Sequence, residues 1–449
     1  MHQLDTMTES EAREEPAGPV LLEHLFRRQS GRLVACLVRL MGSYHLQLAE
    51  DAVQEAMLRA AQRWPFEGIP EKPEGWLYRV AHNYAISALR WGVRFESQPD
   101  ELIEKLEEKR DIAEEAYLDG DVRDAELCMI FMCCHPELSR EARLALSLKL
   151  VGGFGAGEIA RIFLVDESTI AQRLVRAKRL IRERRLPLAL PVNGQLRERL
   201  DSVLEVIYLM FGSGYASGAG EELIRQDVCL EALRLGRLVA SSSLALPCVD
   251  ALVALMALQA ARLPARTDAA GDLVLLEEQD RLLWDGKLIG LGFAYFELSM
   301  RGDEVSAWHV QAAIAATYAA AGTPEAIDWA AILSHYDQLM RIQASPVVAL
   351  NRAVVVMRVH GARAGLDELR PLERHAAMRR YHLLPAVRGQ MLAELGRMAE
   401  AEAAFRAALE CDCSEPERRF LHKRLHAVIA ESQSSHESQS VLETLEERV

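Results

Sequence analysis

An all-α, multidomain fold is predicted by three features of this chain. Ala, Leu, Arg and Glu dominate, aromatic residues make up 6% and no Val/Ile/Thr alternation runs far. The chain has 449 residues and 50% of them are hydrophobic, so it is too long for one ordinary domain and can bury two or three cores. Catalysis has no basis in the residues: no Gly-rich phosphate loop follows a strand, and no Ser, His and acid set has a supporting motif.

Residues 1–19 are polar and acidic and end in Pro16, Gly18 and Pro19, which predicts a disordered leader. A first helical module is expected over 20–95. Its apolar positions at helical spacing include Leu21, Leu22, Leu25 and Phe26, then stretches over 33–40 and 49–64, with breaks at Gly31 and Gly42. Pro65, Gly68, Pro70 and Pro73 make a loop before a helix over 74–91. Acids heavily outnumber bases over 96–124, the pattern of a flexible or loosely helical linker. A second module spans 125–186 and closes at Pro187, Pro191, Asn193 and Gly194. Residues 187–449 form a third, larger helical region, with about the last 18 residues disordered.

The most apolar window, 244–263, is interrupted by Pro247, Asp250 and Gln259 and reads as a buried helix, so no membrane partner is expected. The eight cysteines have no framework spacing and read as reduced thiols of a cytoplasmic protein. Cys133, Cys134 and His135 suggest a metal only superficially. Adjacent cysteines suit a tetrahedral site poorly, no second pair stands at ligand spacing, and Cys411 and Cys413 lie too far along the chain. Neither metal nor cofactor is expected.

The formal net charge is -14, yet its distribution is uneven. Arg173, Arg176, Lys178, Arg179, Arg182, Arg184 and Arg185 face only Glu183 within one short strip. That strip belongs to a helix-turn-helix pattern: a short helix over 157–163, a turn over 164–167, and a second helix from Ser168, capped by Asp166 or Ser168. Ile170, Leu174, Ala177 and Ile181 form its buried stripe. The remaining polar set, Ser168, Thr169, Gln172, Arg173, Arg176, Lys178 and Arg179, is suited to base edges and phosphates in a major groove. A solvated basic helix in a non-DNA bundle is the plain alternative.

Residues 48–60 (LAEDAVQEAMLRA), ending at Trp64, resemble the region 2 helix by which RNA polymerase sigma factors of the extracytoplasmic-function group bind the polymerase clamp. Residues 73–86 (PEGWLYRVAHNYAI) are similar to the following helix, which reads the minus-10 element, and the basic helix over 168–182 is similar to region 4, which reads minus-35. Further segments, 131–136 (FMCCHP), 150–154 (LVGGF), 208–211 (YLMF), 271–277 (GDLVLLE) with Gln279, Asp280 and Arg281, and 345–353 (SPVVALNRA), look like the subgroup bearing a tetratricopeptide-type extension.

The resemblance implies that Asp51, Gln54, Glu55 and Arg59 face core RNA polymerase. It implies that Trp76, Arg79, Asn83, Tyr84 and Arg90 touch the unpaired minus-10 strand of promoter DNA. After Asn83 the family often carries an Asp and a basic cluster, whereas here stand Ser87, Ala88, Leu89, Arg90 and Trp91.

In the third region, 395–401 (LGRMAEA) with Phe405, Ala408 and Gly389 matches one tetratricopeptide unit, and 349–369 suggests a weaker copy. An irregular bundle with one accidental match is the alternative, since such folds need about three repeats. Asp280, Arg281, Asn351 and Arg352 read as satisfied structural groups before they read as pocket lining. The function expected is that of an alternative sigma factor whose extension regulates it through a protein partner or ligand. The rivals are a helix-turn-helix regulator and a tetratricopeptide adaptor, neither of which engages polymerase.

Overall fold

Helices account for the regular structure. A computed structural model describes residues 18–92, 104, 119–163, 165–191, 196–215 and 225–446, and among these every named element is helical, besides one isolated bridge between Thr267 and Leu273. The all-α expectation holds. Residues 1–17 of the expected leader and most of the expected acidic linker lie outside the described residues. The chain divides into two compact units, Met1–Ile159 with Glu167–Leu200, and Ala160–Asp166 with Asp201–Val449.

The first unit begins with α1 (Gly18–Met41), α2 (Leu46–Glu67) and α3 (Pro73–Gly92). Helix α1 runs unbroken through Gly31, which corrects the break expected there. A Cβ on Gly31 would stand 2.4 Å from the Val151 carbonyl oxygen, so this glycine permits a close backbone approach instead of ending the helix. A surface helix buries one stripe, but α1 buries Leu33, Val34, Ala35, Leu37 and Val38 together. It is covered by α2 on one side and by α4 (Asp119–Cys133) and a π-helical turn (Ser147–Val151) on another. Trp64 of α2 anchors the module, with the Phe26 ring 5.9 Å and the Trp76 ring 5.4 Å away.

The π turn continues α5 (Arg140–Leu146), whose first turn is capped by Ser139 Oγ accepting from the Ala142 amide at 3.2 Å. Helices α6 (Ala156–Phe163) and α7 (Glu167–Arg184) follow. Ile170, Leu174, Ala177 and Ile181 are the buried residues of α7, the stripe that the periodicity predicts. Ser168 lies inside α7 and so does not occupy its cap position.

After α8 (Leu196–Tyr215), the second unit is built around α10 (Pro247–Ala260), which contacts α9 (Gln226–Ala240), α11 (Gly286–Ser299) and α12 (Ala307–Ala320). By length and composition the segment Pro247–Ala265 is apolar enough to cross a membrane, and 72% of it is buried inside the protein. Then come α13 (Trp329–Ile342), α14 (Pro346–His360), α15 (Ala362–Glu373), α16 (Leu383–Glu394), α17 (Met398–Leu409) and α18 (Glu415–Glu446). From α12 to α18 each helix contacts the next, the nearest-neighbour pattern of a helical repeat stack.

Gly361 and Gly396 adopt φ of 87° and 73° at the turns within the pairs α14/α15 and α16/α17, a conformation that costs a residue with a Cβ. The Phe405 ring of α17 lies where a Cβ on Gly389 of α16 would be 3.1 Å away, so the small position and the aromatic of the repeat motif meet. Helix α18 runs from Glu415 to Glu446, across most of the stretch for which disorder was expected. Its polar stretch after Glu431 lacks Gly and Pro, and nothing local stops the helix. Asp272 accepts from Arg419 and Lys423 of α18, both at 2.5 Å.

Three of the four polar residues singled out in this region make structural bonds. Asp280 caps a short 3₁₀ turn, Arg281 donates to the Tyr318 and Ala321 carbonyls, and Arg352 bridges Asp337 and Glu368 at 2.7 Å each. Asn351 is exposed.

Candidate nucleic-acid interface

On α7, Ser168, Thr169, Gln172, Arg176 and Arg179 are exposed and Arg173 is half-buried beside them. At 3.6 residues per turn these six share the side opposite the buried stripe. A groove of about 450 Å³ runs along this face, with Ser139 and Ala142 on one wall and Thr169, Gln172, Arg173 and Arg176 on the other. Arg179 pairs with Glu183 at 2.6 Å, and its hydrogen bond holds the Glu183 carboxyl below the usual range. Both partners are exposed, so the pair is weak and gives way readily to a phosphate. Glu141, at the mouth of α5, is also held low, chiefly by a backbone amide and the Ser139 hydroxyl.

Lys178 is placed apart from the other six. It leaves the exposed face and reaches Glu50 of α2 at 2.6 Å, with Gln47 at 3.4 Å.

The α2 face carries Asp51, Gln54 and Arg59 exposed and Glu55 half-buried. Glu55 and Arg59 pair at 2.7 Å, and Gln47 donates to Asp51 at 2.9 Å. Sequence reasoning missed two apolar neighbours on this side. Leu58 is 54% and Phe66 89% exposed, and they follow Asp51 at i+7 and i+15. Their signal was available: both fall off the buried stripe Ala49, Val53, Ala56, Ala60 and Trp64.

On α3, Arg79, Asn83 and Arg90 are exposed at i, i+4 and i+11, Tyr84 is half-buried, and Trp76 is half-buried against Trp64. The structure thus brings the five residues expected for minus-10 onto one side of α3. Trp91, 76% exposed, extends that side by one more aromatic ring. It stands where the expected basic cluster is missing. Replacing Trp91 with Ala will weaken binding of a minus-10 single strand by about 1–3 kcal/mol, the usual worth of one stacked base. Fluorescence anisotropy on the labelled strand checks this, with Trp91→Phe expected to keep most of the affinity.

Cys133 and Cys134 are buried, and burial pushes the Cys133 thiol up, away from the thiolate that metals bind. The Cys134 sulfur lies 3.8 Å from Ser147 Oγ, while burial pushes His135 below its ordinary range. All eight cysteines are free, and among the described residues no three His, Cys, Asp or Glu side chains gather as metal ligands.

Three family models match: Sigma-70 region 2 over residues 25–94, Sigma-70, region 4 over 128–181, and a family of unknown function (DUF6596) over 199–300. A relative in Rhizobium meliloti (strain 1021), the uncharacterized protein R00370, is 38% identical over 389 residues, which cover 86% of this chain and 91% of the relative. No solved structure matches. The region 2 match contains α2 and α3 and the region 4 match contains most of α7, so the three faces described above are those of sigma-70 modules in sigma-70 order. The chain belongs to the sigma-70 family, as an extracytoplasmic-function-like sigma factor with an additional C-terminal helical domain.

Proposed function

We propose that this protein is an alternative sigma factor that docks reversibly on core RNA polymerase through Asp51, Gln54, Glu55 and Arg59 of α2. In this reading α7 reads duplex minus-35 through Gln172, Arg173 and Arg176, and α3 holds the melted minus-10 strand through Trp76, Arg79, Asn83, Tyr84 and Arg90. Catalysis belongs to the polymerase, and the cytoplasm is where that enzyme works. The observation that carries the reading is the contrast between faces: α2 exposes acids and apolar groups suited to a protein, while α3 and α7 expose cations and amides suited to nucleic acid. Genomic fragments captured by core polymerase plus this protein should share two sequence blocks about 25 base pairs apart, as the element names place them at 3.4 Å per base pair. No enrichment over core polymerase alone would defeat the proposal.

Residues 191–449 hold 26 basic and 35 acidic side chains, nine units of negative charge that add nothing to DNA affinity. The extension therefore acts through protein contacts, and stacked helix pairs offer surfaces for a peptide or helix. It is a built-in regulatory domain that organises the sigma modules for polymerase. Cutting after Leu190 is expected to lower promoter output in a reconstituted assay while leaving minus-35 duplex binding in place. Equal output from truncated and full-length protein under every condition would remove the regulatory role.

A further inference from the structure

Helix α11 of the second unit, GKLIGLGFAYFELS, is apolar on every side, the pattern of a helix enclosed by its surroundings. It is enclosed on one side only. Its buried residues are Gly292 and Ser299, which share a side at helical spacing. A Cβ on Gly292 would stand 2.5 Å from Leu258 Cγ of α10, so α10 closes that side. Every Leu, Ile, Phe and Tyr of α11 is only half-buried. Apolar side chains also stand bare at both ends: Leu282 is 92% and Leu283 52% exposed before the helix, Met300 66% and Val305 54% after it. A continuous apolar surface of this kind marks a protein contact.

At 100° per residue, the face opposite Gly292 carries Lys287, Gly290, Ala294 and Glu297. Lys287, Gly290 and Glu297 are exposed, and neither charged side chain has an ion-pair partner among the described residues. A Cβ on Gly290 would meet nothing within 4 Å. A glycine in mid-helix weakens the helix, and no neighbour among the described residues requires this one.

The face is balanced about residue 292. Lys287 and Glu297 are equally spaced on either side of it, as are Gly290 and Ala294, and Leu291 and Phe293 flank it. A second copy laid antiparallel on this face about a two-fold axis therefore sets Lys287 of each copy level with Glu297 of the other, and Gly290 level with Ala294. Two small residues at the crossing let the helix axes approach to about 8 Å, the near end of the usual range. The bare ends match as well, since Leu282 and Leu283 of one copy come beside Met300 and Val305 of the other. A parallel pairing would instead oppose Lys287 to Lys287 and Glu297 to Glu297.

We infer that this protein self-associates as a two-fold dimer through α11, packed antiparallel on α11 of a second copy. The inference is independent of the sigma reading. It gives the extension a protein partner in a second extension. One helix pair with its ends is a small interface, so the dimer is reversible, with a Kd of about 1–10 μM.

Sedimentation velocity of the full-length protein from about 0.5 to about 100 μM, a range that brackets this Kd, tests the dimer. Wild type should pass from monomer to dimer. Gly290→Leu overfills the crossing and should raise the Kd at least about tenfold. Gly290→Ala should raise it about threefold while increasing the Tm measured below the Kd, because Ala is the better helix former; a misfolded variant could not do both. Lys287→Glu and Glu297→Lys should each raise the Kd at least about fivefold by opposing like charges, and the double variant should return to within about threefold of wild type. The two positions are about 15 Å apart along one helix, so only a second copy can make that rescue. A wild type that stays monomeric at about 100 μM leaves the face to some other protein and overturns the dimer. So does a Kd unmoved by Gly290→Leu, or a double variant no tighter than the single ones.

Discussion

Reversing Asp51 and Glu55 together to Lys is expected to weaken binding to core RNA polymerase at least about a hundredfold, because like charges brought together at an interface cost several kcal/mol. The two carboxylates lie one turn apart on α2, and Glu55 pairs with Arg59 at 2.7 Å. Cations at 51 and 55 beside Arg59 make two like-charge pairs at i and i+4, a penalty of about 0.2–0.5 kcal/mol each, so the fold should survive. Leu58 and Phe66 then give a graded control: truncating either to Ala should weaken docking without reversing its charge dependence. A titration of labelled core polymerase decides the matter. Unchanged affinity would take α2 out of the polymerase contact.

The second large effect concerns discrimination. Arg173→Ala or Arg176→Ala should each cost about 1–3 kcal/mol at the preferred minus-35 sequence and relax the choice of base there, since both line one groove on the same side of α7. Arg176 is the more exposed and Arg173 is half-buried beside Ser139 and Ala142, so the loss at Arg173 should also include some repositioning of its neighbours. Binding measured against a panel of single-base variants separates the cases. An equal loss on every sequence, accompanied by a shallower salt dependence, would make the two arginines phosphate contacts.

Much of the fold was legible because local signals and packing agree. The Ile170, Leu174, Ala177 and Ile181 spacing is the buried stripe of α7, and the Gly396 turn with Gly389 and Phe405 is a packed helix pair. What escaped depends on contacts distant in sequence. Gly31 reads as a break until the Val151 carbonyl is seen against it. Lys178 reads as one more cation of a basic strip, since nothing nearby in sequence announces Glu50 as its partner. Glu50 itself held a clue, because it lies three residues before Val53 and so borders the buried side of α2, but it stands among surface acids. The expected minus-10 residues fall on one side of α3, while Trp91 hid at the end of a helix where a cationic cluster was sought.

The central claim is that this chain confers promoter-specific initiation on core polymerase. Its most direct test is run-off transcription with purified core polymerase, free of other sigma factors, on genomic fragments, with and without the full-length protein. Transcripts of defined start that appear only with the protein, and disappear when Asp51 and Glu55 are reversed, are the result expected. Initiation that is equally diffuse with and without it on every fragment would contradict the account.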